Sequence, residues 1–287
     1  MTLEFESTVT LPAEPARVFQ ALTDERELCV WFAEHVKVEA RRGGAYQFWG
    51  KATFGAPSQP DATQKILEFE PGKRLAFGWK KSEVHYALSD GEKPGTTALA
   101  LRHLVRDELP FTSPRHVIDD LWKLNFANLA AHLNGRAGAV VLADFASPTP
   151  EVRCAIEIDA APARVFRALL VPELMNKWLF GAASVDTGQR SISYGWKYDY
   201  EGKPVLGGPT KILELVENEK LVTDWPDWRG ADKPSTRVTW TLEALDGGKR
   251  TRVTLVHDGF EHMVGRSDYQ QGWAGFLEGL RDVVAAY

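Results

Sequence analysis

His103 and His257 are the residues of this sequence best suited to chemistry. Each closes a stretch of alternating residues, Leu101-Arg102-His103 and Leu255-Val256-His257, on the parity that carries the apolar set. An imidazole titrates near neutral pH, so at the floor of a cavity it would orient a polar ligand end or move a proton. At the edge of a core it would instead bond a loop carbonyl. Trp79 and Trp225 end paired strands, and Trp122 and Trp273 lie on helices. All four suit either a cavity wall or plain core packing. Tyr194, Trp196, Tyr198 and Tyr200 alternate along one expected strand interrupted by Gly195, which would offer a flat apolar ligand one aromatic face. Asn125 interrupts an apolar helix stripe where the second half of the chain has Phe276. A buried amide left bare costs about 1–3 kcal/mol. A neighbour or a ligand should therefore satisfy Asn125, and of two cavities the first should be the more polar.

Signals for other chemistry are weak. His257, Asp258 and His262 match no zinc or facial-triad spacing, and no metal or cofactor is expected. Gly43-Gly44 and Gly207-Gly208 lack the Lys-Ser/Thr tail of a phosphate loop, and no Gly-x-Ser-x-Gly elbow occurs. Asp119 and Asp120 are consecutive, so on a helix they diverge by about 100° and cannot share a substrate. No catalytic residue is assigned.

The elements that must position these residues occur twice. Pro15-Ala16-Arg17-Val18-Phe19 with Ala21-Leu22 returns as Pro162-Ala163-Arg164-Val165-Phe166 with Ala168-Leu169. Trp31 returns as Trp178, Lys65-Ile66-Leu67-Glu68 as Lys211-Ile212-Leu213-Glu214, Trp79 as Trp225, and Trp122 as Trp273. The matches stay in order while their offsets drift by a few residues, as loop insertions and deletions produce. This is duplication of a whole domain. The expected organisation is a domain over residues 1–137, a linker over 138–150 and a second domain over 151–287. Ala139–Ala143 within that linker is apolar enough to pack on one of the domains.

Each copy opens with period-two alternation, Phe5, Ser7, Val9 and Leu11 or Val152, Cys154, Ile156 and Ile158, the mark of a half-buried strand. A proline then stands at a helix start, followed by Val18, Phe19 and Leu22 or their counterparts at helical spacing. A second short helix reaches Trp31 or Trp178. Strands separated by turn residues follow, and a long helix closes each copy, with stripes through Ile118, Leu121, Trp122 and Leu129 and through Trp273, Phe276, Leu277 and Leu280. A long apolar stripe after a run of antiparallel strands is best buried on the concave face of a curved sheet, leaving a wedge for a ligand.

Composition narrows the classes. The net charge of −5 disfavours nucleic acid as a partner, and no run approaches the length of a membrane helix. Two cysteines, Cys29 and Cys154, and no signal peptide fit a reducing cytoplasm rather than a disulfide framework. Ten tryptophans argue for thick aromatic cores or aromatic-lined cavities.

The motif Pro-Ala-Arg-Val-Phe-x-Ala-Leu leading to Trp, a strand ending Leu-x-His and a Gly-Trp opening a long final helix resembles the SRPBCC superfamily. The nearest branch is the family of activator of heat-shock protein 90 ATPase homologues. The likeness covers residues 12–31, 65–79, 97–103 and 117–133, and again 159–178, 211–225, 251–260 and 269–284. His257-Asp258-Gly259-Phe260 and Gly272-Trp273 carry it best, while the first copy departs with His103-Leu104 and Asp120-Leu121-Trp122. The resemblance implies a START-like, α+β helix-grip fold in tandem: a curved antiparallel sheet wrapped around a long C-terminal helix, with two short helices after the first strand. Relatives include hydrophobic-ligand binders, polyketide cyclase-like enzymes and chaperone regulators. The co-chaperone itself carries a distinct N-terminal activating domain, whereas here the first copy is another helix-grip unit. The reading that follows is a binder of a small apolar or aromatic molecule. The alternatives are a cyclase- or hydratase-like enzyme using a cavity histidine, and a regulatory module that engages a chaperone or other protein.

Overall fold

The structure, a computed structural model, describes residues 3–106, 114–136, 140–146, 151–200, 202–228, 235–261 and 263–287. The chain divides into two compact units, residues 1–148 with 262–271 and residues 149–261 with 272–287.

In the first unit, strand β1 (Leu3–Leu11) leads into helices α1 (Pro15–Thr23) and α2 (Glu25–Trp31). Pro15 sits at the start of α1, where its missing N–H costs no helical bond. Asp24 separates the two helices and caps α2, accepting from the backbone of Arg26 and Glu27 at 2.9 and 3.1 Å. The Trp31 indole then donates to the Ala21 carbonyl at 3.0 Å, locking α2 against α1. A hairpin of β2 (His35–Val38) and β3 (Tyr46–Trp49) follows. The antiparallel run β4 (Ile66–Glu70), β5 (Arg74–Trp79), β6 (Ser82–Asp90) and β7 (Thr97–Val105) returns to β1, giving the order β1-β7-β6-β5-β4. Helix α3 (Pro114–Leu133) closes the unit, with the Trp122 ring edge-on to Tyr86 of β6.

The second unit repeats this plan. Strand β8 (Val152–Ile158) precedes α4 (Pro162–Leu170) and α5 (Pro172–Leu179), and Trp178 donates to the Ala168 carbonyl at 3.0 Å as Trp31 does to Ala21. Two small hairpins follow, β9 (Ser184–Asp186) with β10 (Ser191–Ser193), and β11 (Trp196–Tyr200) with β12 (Lys203–Gly207). The sheet of β13 (Ile212–Val216), β14 (Lys220–Trp225), β15 (Thr236–Leu245) and β16 (Arg250–Asp258) takes the order β8-β16-β15-β14-β13, and α6 (Met263–Ala286) ends the chain. Even the irregularities repeat. Both sheets carry a bulge in their outermost strand, at Ile66/Glu68 and Ile212/Glu214, and Thr97 and Thr251 bond the carbonyls of Ala13 and Ala160.

The expected tandem α+β fold is thus present. Among the described residues no helix is long and apolar enough to cross a membrane. Cys29 and Cys154 are not joined in a disulfide. His262 and residues 138, 139 and 147–150 of the expected linker lie outside the described residues.

The apolar stretch after α3 is held by the first unit. Asn128, fully buried, acts as a strand edge would: its Nδ2 donates to the Val141 carbonyl at 2.8 Å and its Oδ1 accepts from the Val141 amide at 2.9 Å. Phe145 adds a backbone bond to Lys51 and a ring contact with Phe54 at 4.8 Å. Replacing Asn128 by Ala removes both bonds, each worth about 0.5–1.5 kcal/mol net. Limited proteolysis should then cut within 140–146 roughly tenfold faster, a change in local opening of that size.

Candidate ligand-binding site

Alternation along β7 and β16 turns His103 and His257 toward the helix side of each sheet, where they are 3% and 0% exposed. Each accepts a hydrogen bond at Nδ1 from a helix tryptophan: Trp122 Nε1 to His103 at 3.1 Å, and Trp273 Nε1 to His257 at 3.0 Å. An indole N–H only donates, so each Nδ1 is an unprotonated acceptor. In the second unit the chain of bonds continues. His257 Nε2 lies 2.8 Å from Thr236 Oγ1, and that hydroxyl donates to the Trp225 carbonyl at 3.1 Å. The arrangement is consistent when Nε2 carries the proton and donates to Thr236. Burial holds this imidazole neutral and pushes its pKa down to about 3. Both ring nitrogens are engaged, so His257 ties β16 to α6 and has no lone pair free to abstract a proton. A loop-carbonyl partner was the sequence expectation for a core histidine; a tryptophan supplies the partner instead.

The predicted aromatic walls gather around these histidines. Trp79 stacks on His103 with the rings 5.7 Å apart, and Phe48 meets Trp79 edge-on at 4.9 Å. In the second unit Trp225 lies 5.3 Å from His257 and 5.1 Å from Trp273, and Phe260 covers the histidine at 4.5 Å. The expected single aromatic strand is not formed. Gly195 adopts φ +70 where a Cβ would lie 2.2 Å from the Ala182 carbonyl oxygen, and the chain breaks there between β10 and β11. Tyr194 and Trp196 face inward, meeting at 5.2 Å, but Tyr198 is 43% exposed and tilts against Trp228. The Tyr200 side chain lies outside the described residues.

The two units differ most at one helix position. Phe276 stacks on Trp196, rings 5.2 Å apart and 24° inclined, and meets Trp178 and Trp273 edge-on. Its counterpart Asn125 lies between Leu121, Trp122 and Leu129 in the stripe that faces the sheet and is 5% exposed. Its amide atoms are not among the fully buried side-chain polar atoms that lack a partner. A planar ring in one unit is replaced by a smaller, polar amide in the other.

Sequence reasoning missed two residues of the second interior. Thr223 and Trp240, both fully buried, share the inward face of β14 and β15; Thr223 Oγ1 has no partner among the described residues, and the Trp240 indole lies beside the Tyr194 phenol. Their counterparts are Phe77, which stacks on Tyr46 at 4.3 Å, and Tyr86. The signal was available: a hydroxyl stands at an inward strand position that is aromatic in the other copy.

Comparison with known proteins agrees with this duplicated geometry. The family model described as activator of Hsp90 ATPase homolog 1-like protein matches residues 12–134 and again 159–285. The chain belongs to this family. No curated protein matches the sequence. Among solved structures, the family's AHSA1-like protein from Rhizobium etli is 24% identical over 48% of this chain and 85% of its own, with a TM-score of 0.37. The Aha1 dimer from Colwellia psychrerythraea is 20% identical over 47% of this chain and 95% of its own, at 0.37. DynU16, from the dynemicin biosynthetic locus, is 16% identical over 98% of this chain and 96% of its own, also at 0.37. Membership in the Hsp90-activator-homologue family rests on the two family-model matches, which follow one another along the chain.

Proposed function

We propose that the first unit binds a small, largely apolar molecule between its sheet and α3, oriented by one hydrogen-bonding group that meets Asn125. The observation that carries this reading is a polar side chain, Asn125, 5% exposed in this interior at the position its sister unit fills with a stacked phenyl ring. Trp79, Trp122 and Phe48 supply apolar surface around it. Desolvation of the ligand at roughly 25 cal/mol per Å² would drive binding, with the amide setting orientation. A histidine-based cyclase or hydratase fits less well, because the lone pair such chemistry needs is already taken by tryptophan at both Nδ1 atoms.

Asn125→Leu keeps the side-chain size and removes the polar group. The ligand-free variant should be at least as stable as the parent in urea unfolding, since the substitution places an apolar side chain in an apolar interior. Native mass spectrometry of freshly purified full-length protein should show a bound small molecule in the parent and little in the variant. A variant that is less stable, or that retains the same bound molecule, would overturn the assignment.

A further inference from the structure

We infer that the second unit carries both halves of a head-to-tail contact with another copy of this chain: Phe180, displayed on a rigid loop, and a cleft at the β13–β14 turn that receives it. The inference is independent of Asn125 and of the ligand reading. Phe180 is 83% exposed, more than any other large apolar side chain among the described residues. It ends α5 with φ 54 and ψ 33, a left-handed conformation that glycine takes freely and a bulky side chain adopts only at a cost. The loop is nonetheless fixed on three sides. Trp196 Nε1 donates to the Leu179 carbonyl at 2.8 Å, and Asn176 Oδ1 accepts from the Ala183 amide at 2.7 Å. Gly181 approaches the Tyr194 carbonyl so closely that a Cβ would lie 2.1 Å from its oxygen. The first unit has Ala33 at the equivalent position, 1% exposed. The second copy therefore holds a strained residue with its ring in water, and a ring held this way loses little freedom when it docks.

The surroundings of the ring select the partner. Leu206, 62% exposed, pairs with Lys197 in the β11–β12 hairpin, beside the tryptophan that holds the loop. Lys177 lies three residues before Phe180 on α5. Among the described residues neither lysine forms an ion pair. The Asp199 carboxylate on the same hairpin is engaged by the Gly202 amide at 3.0 Å. A matching receptor is apolar at its floor and acidic at its rim. The cleft at the β13–β14 turn has that character. It measures 940 Å³, ample for a phenyl ring, and Pro162, Val216 and Leu242 line it with apolar surface. Glu214 and Glu243 in its wall are paired with Lys220 and Arg252 at 2.8 and 3.2 Å. Glu217 and Glu219 have no ion pair among the described residues. Docking one copy on the next buries the ring and brings these two glutamates to the two lysines. Knob and cleft are different patches of one surface, so the contact is heterologous and copies add end to end.

Sedimentation velocity of the full-length protein, from about 5 to about 200 µM, tests this in the range where so small a contact assembles. The weight-average mass of the parent should rise with concentration. Phe180→Ser removes the knob, and the double variant Glu217→Lys, Glu219→Lys reverses the charge of the rim. Each should weaken self-association at least tenfold. Their equimolar mixture should nevertheless form a one-to-one complex that grows no further, because one variant keeps the cleft and the other keeps the ring. Leu206→Ser, at a second exposed position, should weaken assembly in the same direction. A parent that stays monomeric overturns the inference, as does assembly that survives either knob or rim variant, or a mixture that yields no complex. Flotation with phosphatidylserine-containing vesicles gives the remaining arm. A parent that stays monomeric in solution but floats, and stops floating as Phe180→Ser, overturns the self-contact and assigns the ring to a lipid surface.

Discussion

Trp273→Ala should cost the second unit about 3–5 kcal/mol, the largest single loss expected for any side chain of its interior. Trp273 is 2% exposed and touches four rings of that interior: His257, Trp225, Trp240 and Phe276. Truncation opens a cavity among them and also strips the donor from His257 Nδ1. The two effects separate in a second variant. Trp273→Phe retains most of the ring volume but leaves Nδ1 bare, and should cost only about 1–3 kcal/mol. Urea unfolding followed by hydrogen exchange of the β15 and β16 amides reads both. If Trp273→Ala leaves the protection of those strands unchanged, the tryptophan is not the element that joins helix to sheet. A loss of that size is a large fraction of the stability of a domain this small.

The same residue pair shows what a sequence can and cannot disclose. The duplication, the strands and both closing helices were legible because core spacing obeys two fixed periods, and Trp31, Trp79, Trp122 and their counterparts recur in order. The inward parity of His103 and His257 was legible for the same reason. Their partners were not, since an indole on a helix and an imidazole on a strand meet only through the depth at which the helix lies on the sheet. The break at Gly195 was misread because alternating aromatics look continuous, while the crossing with Ala182 that forbids a Cβ is a tertiary fact. Asn125 was visible as an exception to a stripe, whereas the stacking of its counterpart Phe276 on Trp196 needed coordinates. Thr223 passed unnoticed because threonine is common in strands and only comparison with Phe77 makes it unusual. The two copies thus share a frame and diverge at the positions that decide what each interior can accommodate.

His257 also makes the second unit sensitive to acid, and the sign follows from its two states. An unfolded histidine binds its proton near the ordinary value of about 6.5. In the folded protein burial holds the group unprotonated down to about 3. Below pH 6.5 the unfolded chain therefore carries a proton that the folded chain lacks, and stability falls as pH falls. The limiting slope is about 1.4 kcal/mol per pH unit, so the loss between pH 6.5 and pH 5 is about 2 kcal/mol. Protonation in place would also set an N–H at Nδ1 against the Trp273 N–H, two donors 3.0 Å apart. His257→Gln removes the titrating group while leaving an amide that can both donate and accept. Its unfolding free energy, measured in urea at several pH values, should decline less steeply than the parent's over that interval. Parallel pH profiles for parent and variant would mean that the imidazole is already charged in the folded state. The indole could not then donate to Nδ1, and the bond that joins β16 to α6 would have to be abandoned.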